Sequence, residues 1–270
     1  MKIKLNRKNT ITDKDKKSLF SFKVSHDNDP ISQLNYLISD QEITMILSEK
    51  SQNQSIIFRN NLYSIWMGFS IVKDQNFTFP SSSNNNTSYD GEVTIIFSQK
   101  NMDNTFERSL MCIIPIVVVD EKTPSILSEI INDIQNTKNS EQVINLYEPT
   151  TLISIVPDSS YFILETNGAY DVIVFDVANG GYIPISDEAH KKLVKMNSNQ
   201  DNTSLLLSND DVKNIFFMNR ETNDIIHKWL ERHGGSDDND TTNSIYIYIF
   251  IAIIIFMTIV IPLTRNVYKK

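Results

Sequence analysis

Ten consecutive residues, Leu110–Val119, read LMCIIPIVVV and contain no charged or hydrogen-bonding polar side chain. A run of this length and character reads as a central strand with both of its faces covered. The chain must therefore supply further strands on either side and layers above and below. Candidate neighbours are present. GEVTIIFS (91–98) precedes the run across the polar stretch QKNMDNTFER, as in an antiparallel pair joined by an irregular loop. QSIIFRN (54–60) and NLYSIWMGFSIVKD (61–74) are rich in β-branched and aromatic residues and meet at a short RNN turn. SSSNNNTS (81–88) is a solvated, low-complexity loop.

The period changes after the run. Ile126, Leu127, Ile130, Ile131 and Ile134 recur at helical spacing. Strand-like segments return at 151–157, 160–165 and 169–176, and NGG (179–181) makes a turn. YIPISDEAHKKLVKM predicts a short strand and then a helix capped by Ser186, with Asp187 and Glu188 in its first turn. NDDVKNIFFMNRETNDIIHKWLERHGG predicts one or two further helices. The fold class is α+β and dominated by strands. With 270 residues, 40% of them hydrophobic, the chain can bury a substantial core. A net charge of −8 with no face-sized basic patch argues against a nucleic-acid partner. Cys112 is the only cysteine, so no intrachain disulfide forms, and a reducing compartment fits.

Ile245 to Leu263 is a second constraint: nineteen residues without a charge, enough to cross a hydrocarbon layer of about 30 Å. Tyr246 and Tyr248 stand at one end and Pro262 at the other. The N-terminus is basic and lacks a signal-peptide apolar core, so the expected arrangement is a C-terminal tail anchor in a lipid bilayer. The opposite topology is the alternative, because Arg265, Lys269 and Lys270 follow the span. The sequons at Asn53, Asn76, Asn85, Asn86, Asn202 and Asn239 would then be usable. The expected partition is a basic flexible N-terminus (1–20), a core domain (21–200), a helical stalk and acidic tether (201–244), the transmembrane helix (245–263) and a short basic tail (264–270).

The histidines are His26, His190, His227 and His233, and none reads as a ligand. Trp66 and Trp229 read as core anchors, HDNDP (26–30) as a turn, and no Gly-rich phosphate loop is present. The positive cluster lies at the N-terminus, where Lys2, Lys4, Arg7 and Lys8 are candidate contacts for an anionic partner.

YSIWMGFSI, YDGEVTIIF, SLMCIIPIVV, SILSEIINDI, DVIVF and IPISDE occur in that order. Over residues 54–197 this series resembles the α-carbonic anhydrases, most nearly the divergent membrane-anchored members of large DNA viruses, the poxviral cell-surface-binding type among them. The resemblance implies a broad, twisted, mostly antiparallel sheet with peripheral helices. It also implies a zinc ion held by three imidazoles: two in an H-x-H pair on one strand, the third two residues after a Glu that orients a ligand. Glu92 takes the place of that Glu, and Thr94 the place of the third ligand. The H-x-H positions fall near Phe69 and Ile71, to within two residues. No histidine occurs between His26 and His190, so zinc is expected to be absent. ETNGAYD stands where the family has its Thr-Thr-Pro-Pro-like stretch. Glu92 is either the surviving carboxylate of a lost metal site or a strand-entrance Glu facing solvent or a cation.

The function so implied is that of a catalytically inactive, membrane-anchored viral protein, serving attachment or virion structure. Its partners would be a bilayer and either a host cell-surface glycan or capsid and virion proteins. The acidic charge fits sulfated glycans poorly unless the basic N-terminus joins the site. Two alternatives are an active lyase with a rebuilt metal site and a membrane-to-capsid scaffold.

Overall fold

The structure, a computed structural model, describes residues 2–24, 30–39, 42–47, 54–73, 75–80, 88–100, 106–119, 125–135, 141–151, 155–168, 170–196 and 207–219. The expected transmembrane helix at 245–263, the basic tail, His26, His227, His233, Trp229 and every sequon except Asn76 lie outside the described residues. Among the described residues no helix is long and apolar enough to cross a membrane.

In chain order the elements are β1 (Ile3–Lys4), α1 (Lys14–Leu19), β2 (Phe22–Val24), β3 (Ile31–Ile38), β4 (Ile43–Leu47), β5 (Ser55–Phe58), β6 (Asn61–Val72), β7 (Phe77–Thr78), β8 (Gly91–Lys100) and β9 (Phe106–Val118). Then follow α2 (Ile126–Asp133), β10 (Gln142–Thr150), β11 (Tyr161–Thr166), β12 (Tyr170–Phe175), β13 (Ile183–Ile185), α3 (Asp187–Met196) and β14 (Val212–Met218). One mixed sheet runs β10-β3-β4-β6-β8-β9-β12-β11-β14, with β13 paired to β9 and the β2–β5 pair joined to it through β6. Most neighbours are antiparallel; β12 and β13 lie parallel to β9. As the ten-residue apolar run requires, β9 is central, and every residue from Leu110 to Ile116 is buried.

Pro115 cannot donate to a ladder, and it stands at an interruption. The β12 register on β9 ends at Ile113, and the β13 register begins at Ile116. β6 carries a comparable exchange of partners. Its first half pairs with β5 through a two-residue turn, Arg59 (φ 51°) and Asn60 (φ 61°), the left-handed pair of a type I′ hairpin. Its second half pairs with β4. Between them the register on β8 passes from Ile65↔Phe97 to Phe69↔Ile95, four steps against two. The extra residues form a bulge that turns Trp66 and Met67 outward. Trp66 is 46% exposed, not the core anchor expected of it. Gly68 closes the bulge: a Cβ there would come within 1.8 Å of the Met45 carbonyl oxygen.

The helices follow their sequence signals. Ser125 caps α2 through the Ser128 amide, and Ser186 caps α3 through the Ala189 amide at 3.2 Å. α2 buries Leu127, Ile130 and Ile131 and packs against α3, β13 and β10.

Two expected boundaries are corrected. Residues 2–20 are not a flexible tail. β1 runs parallel to β7, Ile3, Leu5, Ile11 and Phe20 are buried, and the Asn9 carbonyl receives the Phe217 amide. Those apolar side chains among the lysines fill space over the sheet. Nor is the 201–244 segment helical throughout, because VKNIFFM forms β14, antiparallel to β11. Its Val212, Ile215 and Phe216 fit a helical period, yet the free edge of β11 offers a full set of ladder hydrogen bonds. The domain thus extends on both sides of the expected 21–200 limits.

Candidate functional site

β8 presents Glu92 and Thr94 on one face, because side chains two apart share a face. On β6 the residues directly opposite are Val72 and Ser70. Phe69 and Ile71, the expected places of the H-x-H pair, oppose Ile95 and Val93 and so point to the other face, where they are 2% and 0% exposed. The register moves the matching pair by one residue, to Ser70 and Val72. The next strand continues the row, with Thr44 of β4 opposite Ser70. Three hydroxyl side chains, Thr44, Ser70 and Thr94, therefore cross three strands in register.

Thr94 stands at a border on this face. On one side Ile3, Leu5, Phe77, Phe79 and Tyr89 pack with Ile113, Val174, Phe162 and Phe217 into an apolar cluster. On the other side Ser70 and Thr44 are half-buried, and Leu37, opposite Thr44, is exposed. The N-terminal segment thus covers one part of the face and leaves the next part open.

Glu92 does not face solvent. It is 1% exposed. Its Oε1 accepts the Asn76 amide at 2.6 Å and the Tyr89 hydroxyl at 2.5 Å; its Oε2 accepts the Asn76 Nδ2 at 2.8 Å. The Tyr89 hydroxyl also accepts the Phe77 amide at 2.9 Å. A carboxylate at the mouth of β8 thereby fastens the chain just before β7, which in turn holds β1. Burial first, and the neighbouring Glu92 charge second, push the Tyr89 hydroxyl far above its ordinary pKa, so it stays a proton donor to Glu92.

The donor set does not fit a zinc site of three imidazoles. Thr94, Ser70 and Val72 offer two neutral hydroxyls and an isopropyl group, and Glu92 is engaged by Asn76 and Tyr89. Among the described residues no three His, Cys, Asp or Glu side chains are grouped to hold a metal ion. His190, the described histidine, lies on α3.

The N-terminal cations are placed differently from one another. Lys2, Lys4 and Lys8 are exposed, and Lys2 Nζ bonds Gln75 Oε1 at 2.5 Å. Arg7 is committed to the fold: its Nη2 lies 2.7 Å from the Asp176 carboxylate, whose side chain is fully buried, and its guanidinium stacks over Phe217. Arg7 is thus withdrawn from the expected set of anionic-partner contacts, because a polyanion would have to break this pair.

No family model matches the chain, and no curated relative matches it. Solved structures do. The α-carbonic anhydrase of Thermovibrio ammonificans, in complex with sulfanilamide, superposes with a TM-score of 0.55 at 11% identity, over 81% of this chain and 85% of that one. The fold is α-carbonic-anhydrase-like. The α-carbonic anhydrase of Photobacterium profundum gives 0.55 at 11% identity, over 80% and 88%. A carbonic anhydrase of Chlamydomonas reinhardtii, in complex with acetazolamide, gives 0.53 at 9%, over 80% and 88%. At these identities the likeness is one of architecture. Here such a sheet carries the Ser70 and Thr94 hydroxyls opposite each other on adjacent strands. Asn76 and Tyr89, which hold the Glu92 carboxylate, carry no site signal of their own in the sequence, although Tyr89 lies three residues before Glu92.

Proposed function

We propose that this chain is a catalytically inactive member of the carbonic-anhydrase-like fold class, anchored to a membrane through residues 245–263 and acting as a binding or structural module. The observation that carries the reading is the pairing of Thr94 with Ser70, beside a Glu92 carboxylate already engaged by Asn76 and Tyr89. A carbonic-anhydrase mechanism needs a metal-bound hydroxide as nucleophile, and these side chains supply no imidazole to hold the metal. A sheet face open beyond the N-terminal segment suits display to a partner instead. The sequence resemblance to the anchored members of large DNA viruses supports a place in a virion membrane, in attachment or in particle structure. The uninterrupted apolar span supports a bilayer as permanent partner, and we read the cofactor complement as empty of zinc.

Metal analysis of the purified full-length chain, with a CO₂ hydration assay on the same material, tests the proposal. The expected result is substoichiometric zinc and a rate equal to the buffer background. Stoichiometric zinc with a rate above background would establish the rebuilt-site lyase instead. Protease protection on sealed membranes fixes the side of the bilayer on which the domain lies.

A further inference from the structure

The N-terminal segment is set apart from the rest of the chain by its charge. Residues 2–19 hold seven of the 25 lysines and arginines but two of the 33 acids, a net +5 in a chain of net −8. Arg7 is spent on Asp176. Lys2, Lys4, Lys8, Lys14 and Lys16 are exposed, and Lys17 is half-buried. Of the two acids, Asp13 turns its Oδ1 to the Asp15 and Lys16 amides, each at 3.0 Å, and so caps α1. α1 also carries an apolar side chain outward at its end, where Leu19 is 45% exposed. A short basic helix with an outward leucine is the kind of surface that lipid headgroups accept.

The fold puts that helix beside the end of β14. Phe216 and Phe217 are successive on β14 and so point to opposite faces of the sheet. Phe217 shares an apolar cluster with Ile3 and Leu5, whereas Phe216 meets Phe20 with ring centroids 5.4 Å apart. Residues 5–20 therefore wrap the β14 edge from one face to the other. They cross it at Thr10, which pairs with Phe217 in parallel; the Ile11 amide donates to the Phe217 carbonyl at 3.0 Å, and the Phe217 amide to the Asn9 carbonyl at 3.1 Å. Segments paired in parallel leave in the same direction, so α1 and Met218, the last residue of β14, lie toward one end. Tyr161 stands opposite Met218, and its hydroxyl donates to the Phe20 carbonyl at 3.1 Å. From this point 25 residues, 220–244, lead to the apolar span at 245–263, and they bridge at most about 90 Å.

We propose that this edge of the domain, with Lys8, Lys14, Lys16 and Leu19, rests on the anionic lipid headgroups of the membrane that residues 245–263 anchor. The inference rests on the anchor reading and adds to it a second contact between domain and bilayer. Each lysine near an anionic lipid surface strengthens attachment about fivefold. The short connection to the span holds the headgroups at an effective concentration at which such weak contacts are occupied. The rest of the chain is net negative and is repelled by the same surface, so the asymmetry of charge orients the domain with this edge toward the lipid. Cytoplasmic leaflets carry the anionic lipid, and that is the side on which a tail anchor leaves its domain.

The test uses the full-length chain reconstituted into vesicles of phosphatidylcholine, alone or with about 30% phosphatidylserine, and reads lysine acetylation residue by residue by mass spectrometry. Lys8, Lys14 and Lys16 should react about threefold more slowly on the anionic vesicles, and the difference should vanish in about 0.5 M salt. Lys191 and Lys195 are internal controls. They lie on α3, which packs with α2 toward β10, the opposite terminal strand, and their reactivity should be the same on both vesicles. K8Q/K14Q/K16Q should abolish the lipid dependence at Lys17, and L19S should lessen it. These four side chains are exposed, so both variants should melt as the wild type does. Equal protection of the α3 lysines, equal protection on neutral vesicles, or no protection would overturn the contact. So would stronger protection of the same lysines by heparin on neutral vesicles, which would assign the edge to a sulfated polyanion. Alkaline carbonate extraction of the same vesicles reports on the anchor separately. A chain retained by the bilayer without lysine protection removes this contact alone, and a chain released into the supernatant removes the anchor and this contact with it.

Discussion

The Tyr89 hydroxyl donates a hydrogen bond to the Glu92 carboxylate at 2.5 Å while accepting one from the Phe77 amide. This chain of hydrogen bonds ties the mouth of β8 to the strand that carries the N-terminus, and it is buried. Removing one partner leaves the others unsatisfied, which is costlier than the bond itself is favourable. Y89F should therefore cost about 1–3 kcal/mol and E92A about 3–5 kcal/mol, read as denaturation midpoints at unchanged slope. The double variant should cost less than the sum of the two. A strictly additive pair would show that Glu92 and Tyr89 act independently.

Arg7 and Asp176 form the second fastening. The Asp176 carboxylate is fully buried and accepts from Arg7, from Asn179 at 2.6 Å and from the Ala178 amide. R7A leaves that charge without its cation and should destabilise by about 2–4 kcal/mol. The first segment to yield in limited proteolysis should be residues 2–11, whose Ile3, Leu5 and Ile11 are otherwise buried. K2A/K4A/K8A, which removes exposed charges, should stay within about 0.5 kcal/mol of wild type. An equal effect of the two changes would return the N-terminus to the status of a solvated tail.

What the sequence showed and what it hid differ for definite reasons. β8, β9, α2, β12 and α3 were legible because the apolar period or run in each is unbroken and turn or cap residues bound it. β14 was read as a helix because Val212, Ile215 and Phe216 suit that period; only the position of β11 decides otherwise. Ile3 and Leu5 alternate as strand residues do, but two apolar side chains among lysines are too weak a pattern without β7 to pair with. The H-x-H places, expected near Phe69 and Ile71 to within two residues, could not be narrowed further from sequence, because only the pairing of β6 with β8 shows that Ser70 and Val72 share the face of Thr94. Bulges and long-range partners have no local signature, whereas the Glu92-x-Thr94 spacing within one regular strand does.

Asn76 is the sequon asparagine whose surroundings are described. Its Nδ2, the atom to which a glycan would be attached, bonds Glu92 Oε2 at 2.8 Å, and Phe77 of the same sequon is buried. Attachment therefore competes with folding. If the chain is produced through a secretory route, peptide mapping of the folded protein should find Asn76 unmodified. N76A should lower stability by about 1–3 kcal/mol by depriving Glu92 of a donor. A folded population fully modified at Asn76 would show that the Glu92 contact is dispensable.

Asp171 gives a pH dependence with a defined sign. Its carboxyl is buried beside Glu165 on β11, with the Arg59 Nη1 at 3.5 Å. Burial raises its pKa above 3.8; the Arg59 and Arg108 charges oppose that and Glu165 adds to it. Since the folded value lies above the unfolded one, the folded state binds the proton more tightly. Ionisation thus weakens the fold at neutral pH, and the stabilising contribution of the proton appears as pH falls through the folded value and is complete below the unfolded value. Wild type should gain stability relative to D171N between pH 7 and pH 4. The reverse slope would show that the Arg59 and Arg108 attraction outweighs burial.

The face assignment around Thr94 can be tested by building a metal site. Ser70, Val72 and Thr94 share a face and lie on adjacent strands in register, so S70H/V72H/T94H brings three imidazoles together as tetrahedral zinc coordination requires. F69H/I71H/T94H places two imidazoles in the opposite core, at positions 2% and 0% exposed, where polar rings without partners cost stability and cannot meet the third. The first variant should bind one zinc per chain, with a cobalt(II) spectrum of tetrahedral intensity and a melting temperature that rises with added metal. The second should melt lower than wild type and bind no stoichiometric metal. Metal binding by the Phe69/Ile71 variant instead would reverse the register between β6 and β8, and with it the place of Thr94 in the site.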